Sequence, residues 1–125
     1  MGAVAQVYTV ERARAALARL RPLLEDLVWV RADSAELGAA VHGGAPSSLG
    51  GLPEFKAAQA RLDELVSALL AEDLQVKGLA PLLLDFPADL DGVPVLLCWL
   101  EGDRELAWYH REDLGFAGRR PLPPG

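Results

Sequence analysis

The chain has 125 residues, and 51 % of them are hydrophobic, which suffices for a core and predicts a single domain over residues 1–125. Its formal net charge of −6 argues against nucleic acid or an anionic membrane as partner, because both need a basic protein surface. A single cysteine excludes an internal disulfide and predicts a cytoplasmic protein.

A long first helix is predicted from Thr9 to about His42. Thr9 is a favoured N-cap residue, and Glu11 follows in the first turn, near the positive end of the helix dipole. Pro22 lies inside the helical pattern and predicts a kink or a break. Two overlapping stripes recur at spacings of three and four, and all their members are apolar except Ser34. They are Val10, Ala13, Leu17, Leu20, Leu24, Leu27 and Leu23, Leu27, Val30, Ser34, Leu37, Val41.

A second helix is predicted to start at Pro53, since proline suits the first turn of a helix. The stretch 45–52 is rich in Gly and Ser, which predicts a flexible loop between the two helices. A short loop favours antiparallel packing, so we expect a helical hairpin over about residues 9–73. A first helix of this length should protrude or pair with another chain.

From about residue 74 the pattern changes to short apolar runs bounded by turn residues. We predict strands at Leu82–Phe86, Val93–Leu100 and Glu105–His110, with residues 88–92 as a loop that ends in an Asp-Gly turn. The strand Val93–Leu100 is apolar on both faces and should be central. The fold class is therefore α+β, with the hairpin packed against a three- to four-stranded antiparallel sheet. The sheet and a C-terminal loop are predicted over about residues 74–119. The tail 120–125, proline-rich from Pro121, is expected to be disordered.

Several short motifs in this second half occur in a characteristic order. They are Leu84-Asp85-Phe86-Pro87-Ala88, Leu97-Cys98-Trp99, Tyr109-His110 and Gly115-Phe116-Ala117-Gly118-Arg119. Together with the Leu-rich helix that opens at Thr9, they make the sequence resemble an uncharacterised bacterial family, the domain-of-unknown-function family 2203. The resemblance implies kinship and fold, and it implies no established activity.

His110 is the strongest candidate for a functional residue, because an imidazole can serve as a base, a metal ligand or an anion contact. Asp85 could orient it as a carboxylate partner, or could instead accept backbone hydrogen bonds in a turn. Arg119 is predicted nearby, either holding an anion or, as the favoured role, paired with Asp85, Glu112 or Asp113. Tyr109 and Glu112 complete the candidate cluster, for which the alternative is a purely structural histidine.

Other chemistry finds little support in the sequence. Cys98 lies in the most apolar strand and is expected to be a buried, inert thiol. No ligand set has the spacing of an ordinary zinc site, so no metal is predicted. No cofactor motif is present, and no cofactor is expected.

Two classes of function remain. The favoured one is an interaction or assembly module whose hairpin docks a second copy or another protein, with a homodimer as the simplest form. Its predicted interface residues are Trp29, Leu37 and Val41, because the apolar surface of the first helix is wider than one partner helix can cover. The alternative is a small-ligand or enzymatic domain with a site around His110, Asp85 and Arg119.

Overall fold

The computed structural model describes residues 7–123 and contains two α-helices followed by an antiparallel sheet. The helices are α1 (Val10–Val41) and α2 (Leu52–Leu70). The strands are β1 (Gln75–Leu79), β2 (Leu82–Leu90), β3 (Val93–Leu100), β4 (Trp108–His110) and β5 (Arg120–Pro121), with a short 3-10 helix at Phe116–Gly118 before β5. This confirms the α+β class, with five strands rather than three or four.

The described chain divides into two compact units. One contains the residues up to Arg19 and those from Leu69 onward, and the other is Leu20–Ala68. The single domain predicted over residues 1–125 stays a prediction.

The first helix begins as the sequence predicts. The backbone N–H of Arg12 donates to the Thr9 hydroxyl at 3.1 Å, which is the N-cap bond of a helix start. Pro22 lies inside α1 but does not end it, because the assigned helix is continuous over 32 residues. The side chain of Pro22 is exposed. The predicted break is therefore wrong, and the predicted kink is untested.

The unit Leu20–Ala68 is a helical hairpin. The ring of Phe55 on α2 lies so close to Gly38 on α1 that a Cβ there would come within 3.1 Å of it. The His42 ring meets the same Phe55 ring edge to face, with centroids 6.0 Å apart. A glycine at residue 38 therefore lets an aromatic side chain join the ends of the two helices.

The sheet is a meander with strand order β1-β2-β3-β4-β5, and every neighbouring pair is antiparallel. The tight β2–β3 turn contains only Asp91 and Gly92, both at positive φ, as a two-residue type I′ hairpin requires. The central strand is β3, as predicted, and its residues Val95–Trp99 are all buried.

One face of this sheet is covered by the start of the chain. Phe86 and Leu97 are fully buried there, and the ring of Tyr8 meets Phe86 edge to face at 5.2 Å. Arg14 of α1 donates from Nε to the carbonyl of Leu106 at 3.1 Å. The first turns of α1 thus lie within the sheet-containing unit and contribute to its core.

Several predicted boundaries need correction. Residues 88–90 belong to β2, because their backbones pair with Val93–Val95 and leave only a two-residue turn. The third predicted strand starts at Trp108 instead of Glu105, since Trp108 is the first residue that pairs with β3. Pro121, expected in a disordered tail, pairs with Trp108 in β5. Before α1, Tyr8 forms an isolated parallel bridge with Ala88.

Over residues 7–123, neither helix has an apolar stretch long enough to cross a membrane.

Candidate functional site

Three neighbouring strands place Asp85, Cys98 and His110 together. Asp85 of β2 pairs with Cys98 of β3, and Cys98 pairs in turn with Trp108 of β4. His110 follows two residues after Trp108 on the same strand. Because side chains alternate between the faces of a sheet, all three point to the same side. All three are buried, with 2 % exposure or less, and their ligand-type atoms lie within 4.8 Å of one another.

The imidazole of His110 is held at both nitrogens. Nδ1 lies 2.9 Å from the carbonyl oxygen of Arg111, and Nε2 lies 3.2 Å from each carboxylate oxygen of Asp85. Both nitrogens therefore face acceptors. A neutral ring has a single N–H, so this arrangement requires a second proton or another cation between Nε2 and the carboxylate.

Two further groups complete the surroundings of Asp85. The ammonium of Lys77 on β1 lies 3.6 Å from Oδ2, and its own side chain is 45 % exposed. The Cys98 thiol faces the same carboxylate. Burial raises the pKa of Cys98 to about 12, and the negative charge of Asp85 adds to that effect, which Arg119 partly opposes. Chemically, this set can share protons or hold a metal ion.

We expect Cys98 to be nearly inert toward thiol reagents in the native chain, in buffer containing a chelator. With a pKa of about 12, about one molecule in ten thousand carries the thiolate near pH 8. Absorbance after addition of a chromogenic disulfide should show almost no reaction until guanidinium unfolds the chain. Equal rates in the native and the unfolded chain would contradict this environment.

Arg119 belongs to a different cluster. Its guanidinium pairs with the carboxylate of Asp103 and lies over the rings of Trp108, at 4.8 Å, and Phe116, at 5.2 Å. Its Nε is buried and has no hydrogen-bond partner within residues 7–123. The acids predicted as partners of Arg119 were Asp85, Glu112 and Asp113, and the structure pairs Arg119 with Asp103 instead. Phe116 itself is 46 % exposed.

Tyr109 and Glu112 lie away from His110. Tyr109 alternates with His110 along β4 and so points to the opposite face of the sheet. There it lines an open cavity of about 340 Å³ together with Val95, Arg111 and Arg120. Glu112 is exposed in the loop that follows β4.

The predicted interface residues differ in accessibility. Trp29 is 72 % exposed, Val41 is half-buried, and Leu37 is buried at 3 %. A partner could therefore reach Trp29 without any rearrangement of the hairpin, whereas Leu37 is part of the core.

Sequence reasoning missed Lys77 and Asp103, and it gave Cys98 no role beside His110. A separation of 12 or 13 residues along the chain hides the closeness of Asp85, Cys98 and His110. The register of the hairpins would have revealed it. The Asp-Gly turn sets the first register, and two-residue alternation then carries Cys98 onto the face of Asp85.

Comparison with known proteins agrees with the sequence motifs. A family model described as "Uncharacterized conserved protein (DUF2203)" matches residues 6–122. No curated protein and no solved structure matches the chain. A match over nearly all of the sequence shows that the chain belongs to the DUF2203 family of uncharacterised conserved proteins.

Proposed function

We propose that this protein is an interaction module that self-associates through α1 to form a homodimer in the cytoplasm. The observation that carries the proposal is the exposure of Trp29, which is 72 % accessible in the middle of a 32-residue helix. A large aromatic side chain on a regular helix costs solvation free energy when it is left in water. Trp is also the residue type most enriched among the anchors of protein interfaces.

The neighbours of Trp29 on α1 define the chemistry of its partner. Residues three and four positions away share its side of the helix, and these are Glu25, Asp26, Ala32 and Asp33. The immediate surroundings of the indole are therefore mainly acidic. A partner surface should offer positive charge around a small apolar patch.

A second copy of α1 offers such a surface. The charge along the helix changes sign at Pro22. Before it lie Arg12, Arg14, Arg19 and Arg21 with the single acid Glu11, and after it lie Glu25, Asp26, Asp33 and Glu36 with the single base Arg31. Two antiparallel copies would set each basic half against the acidic half of the other. This arrangement is self-complementary, as a twofold interface requires.

The helical spacing favours a crossing near Pro22, which is exposed. An antiparallel pair centred there would bring Trp29 of one copy close to Ala15 of the other. Ala15 and Ala18 are both exposed, and their small side chains leave room for an indole. Arg12 would then lie opposite the acidic residues that follow Trp29.

We expect Trp29→Glu to weaken dimerisation by at least about 30-fold, which corresponds to the ~2 kcal/mol typical of an interface anchor. Sedimentation velocity at several protein concentrations measures the dissociation constant. The matched control is Leu49→Glu, which introduces the same side chain at another exposed apolar residue, 42 % accessible in the loop between the helices. Equal dissociation constants for the two variants would remove Trp29 from the interface.

The alternative, a ligand or enzyme site around His110, Asp85 and Arg119, has less support. His110 and Asp85 are buried and bonded to each other, and Arg119 is bonded to Asp103. A substrate would need to reach Asp85 and His110, and these side chains are only 1 % and 2 % exposed.

A further inference from the structure

We propose that Asp85, Cys98 and His110 form a binding site for one zinc ion, which cross-links strands β2, β3 and β4. The three side chains supply a carboxylate, a thiolate and an imidazole, which are the three ligand types that zinc takes in proteins. They come from three adjacent strands of one sheet face, so the backbone hydrogen bonds already hold them near one another. The site is independent of the dimer proposed for α1.

The orientation of His110 fits a metal ligand. Histidines that bind metals usually donate the N–H of the other ring nitrogen to a carbonyl or carboxylate, which fixes the tautomer. Here Nδ1 is turned to the carbonyl of Arg111 at 2.9 Å. The lone pair of Nε2 is then directed at Asp85, where a cation must separate two acceptors.

The distances around Nε2 leave room for a zinc ion. Nε2 lies 3.2 Å from both Oδ1 and Oδ2 of Asp85. A charge-assisted hydrogen bond between nitrogen and oxygen is typically about 2.7–2.9 Å. Two ligands of a tetrahedral zinc ion, each about 2.0–2.1 Å from the metal, are about 3.3 Å apart.

Cys98 supplies a third ligand atom, its sulfur, which a metal ion can bind in addition to Nε2 and the carboxylate. Its sulfur lies within 4.8 Å of the other two ligand atoms, and it would move closer to reach a zinc–sulfur bond of about 2.3 Å. When zinc binds, the thiol loses its proton to water and the sulfur lone pair forms the bond to the metal. The three side chains then supply three protein ligands to the ion.

The charges balance in the filled site. One carboxylate and one thiolate neutralise a divalent cation, and the imidazole is neutral. Lys77, 3.6 Å from Oδ2, is a cation already placed beside the buried carboxylate. Because the Lys77 side chain is 45 % exposed, its ammonium can move into solvent when zinc replaces it.

Cobalt(II) is the probe for this site, because its thiolate complexes absorb in the near ultraviolet. The full chain, without a purification tag, is freed of metal with a chelator and titrated with cobalt(II) and then with zinc. We expect one equivalent of cobalt to produce a thiolate-to-cobalt band, and one equivalent of zinc to displace it. The melting temperature should rise with bound zinc.

Ligand variants and a matched control complete the test. His110→Gln and Asp85→Asn should weaken zinc binding by more than about 100-fold. Removal of a residue that only hydrogen-bonds to a metal ligand weakens the affinity by at most about that much. His42→Gln should bind as the wild type does, because His42 is exposed at the end of α1 and distant in sequence from the three strands. Should the ligand variants fail to fold, the wild-type titration still decides. Absence of the thiolate band in the wild type, or an unchanged affinity in folded His110→Gln, would overturn the site.

Discussion

Asp85→Ala should lower the free energy of unfolding by about 3–5 kcal/mol, the usual cost of removing one partner from a buried charged pair. Asp85 is 1 % exposed, and its carboxylate is the acceptor for Nε2 of His110. Without it, the imidazole and its proton would remain buried with no acceptor on that side. Guanidinium denaturation followed by circular dichroism, in buffer with a chelator, measures the loss.

A double-mutant cycle separates this effect from the loss of packing. The cycle consists of Asp85→Leu, His110→Leu and the two together. We expect the double variant to lose less stability than the sum of the single variants, because no polar group is then left unpaired. Asp63→Ala, at an exposed residue of α2, is the control and should change stability by no more than about 0.5 kcal/mol. Additive losses in the cycle would contradict a direct Asp85–His110 interaction.

Phe86→Ala should cost about 3–5 kcal/mol, through lost apolar burial and the cavity that remains. Phe86 is fully buried in β2, and its ring packs against the edge of Tyr8 at 5.2 Å. The same denaturation experiment applies. Phe116→Ala is the matched control, because that ring is 46 % exposed and its truncation leaves no cavity in the core. Comparable losses in the two variants would show that the face assignment of β2 is wrong.

The sequence contains clear signals for the helices and for the central strand. Thr9 marks the start of α1, and the glycines after His42 mark its end. Val93–Leu100 is apolar on both faces, which is what a central, doubly covered strand requires. These features are local, so they could be identified without knowing which segments meet in the fold.

The errors arise where tertiary pairing overrides local signals. Pro22 suggests a helix break, yet its exposed ring lies within an uninterrupted α1. Pro121 suggests disorder, yet it pairs with Trp108 because β4 needs a neighbour on its outer edge. The strand β1 was not predicted because Gly78 interrupts its pattern, and the strand pairing is irregular there.

The candidate site was predicted only in part. Asp85 was proposed as a carboxylate that could orient His110 across the sheet, and the structure brings the two together. Arg119 was predicted beside Asp85, Glu112 or Asp113, but its side chain pairs with Asp103 and lies over Trp108. The functional role of the predicted cluster stays a prediction.

The central claim is self-association, and sedimentation equilibrium of the wild-type chain tests it most directly. At tens of micromolar and low salt, we expect the mass of two chains of 13.4 kDa each. Added salt should weaken the dimer, because it screens the attraction between the basic and acidic halves of α1. A mass of one chain across that concentration range would contradict the account.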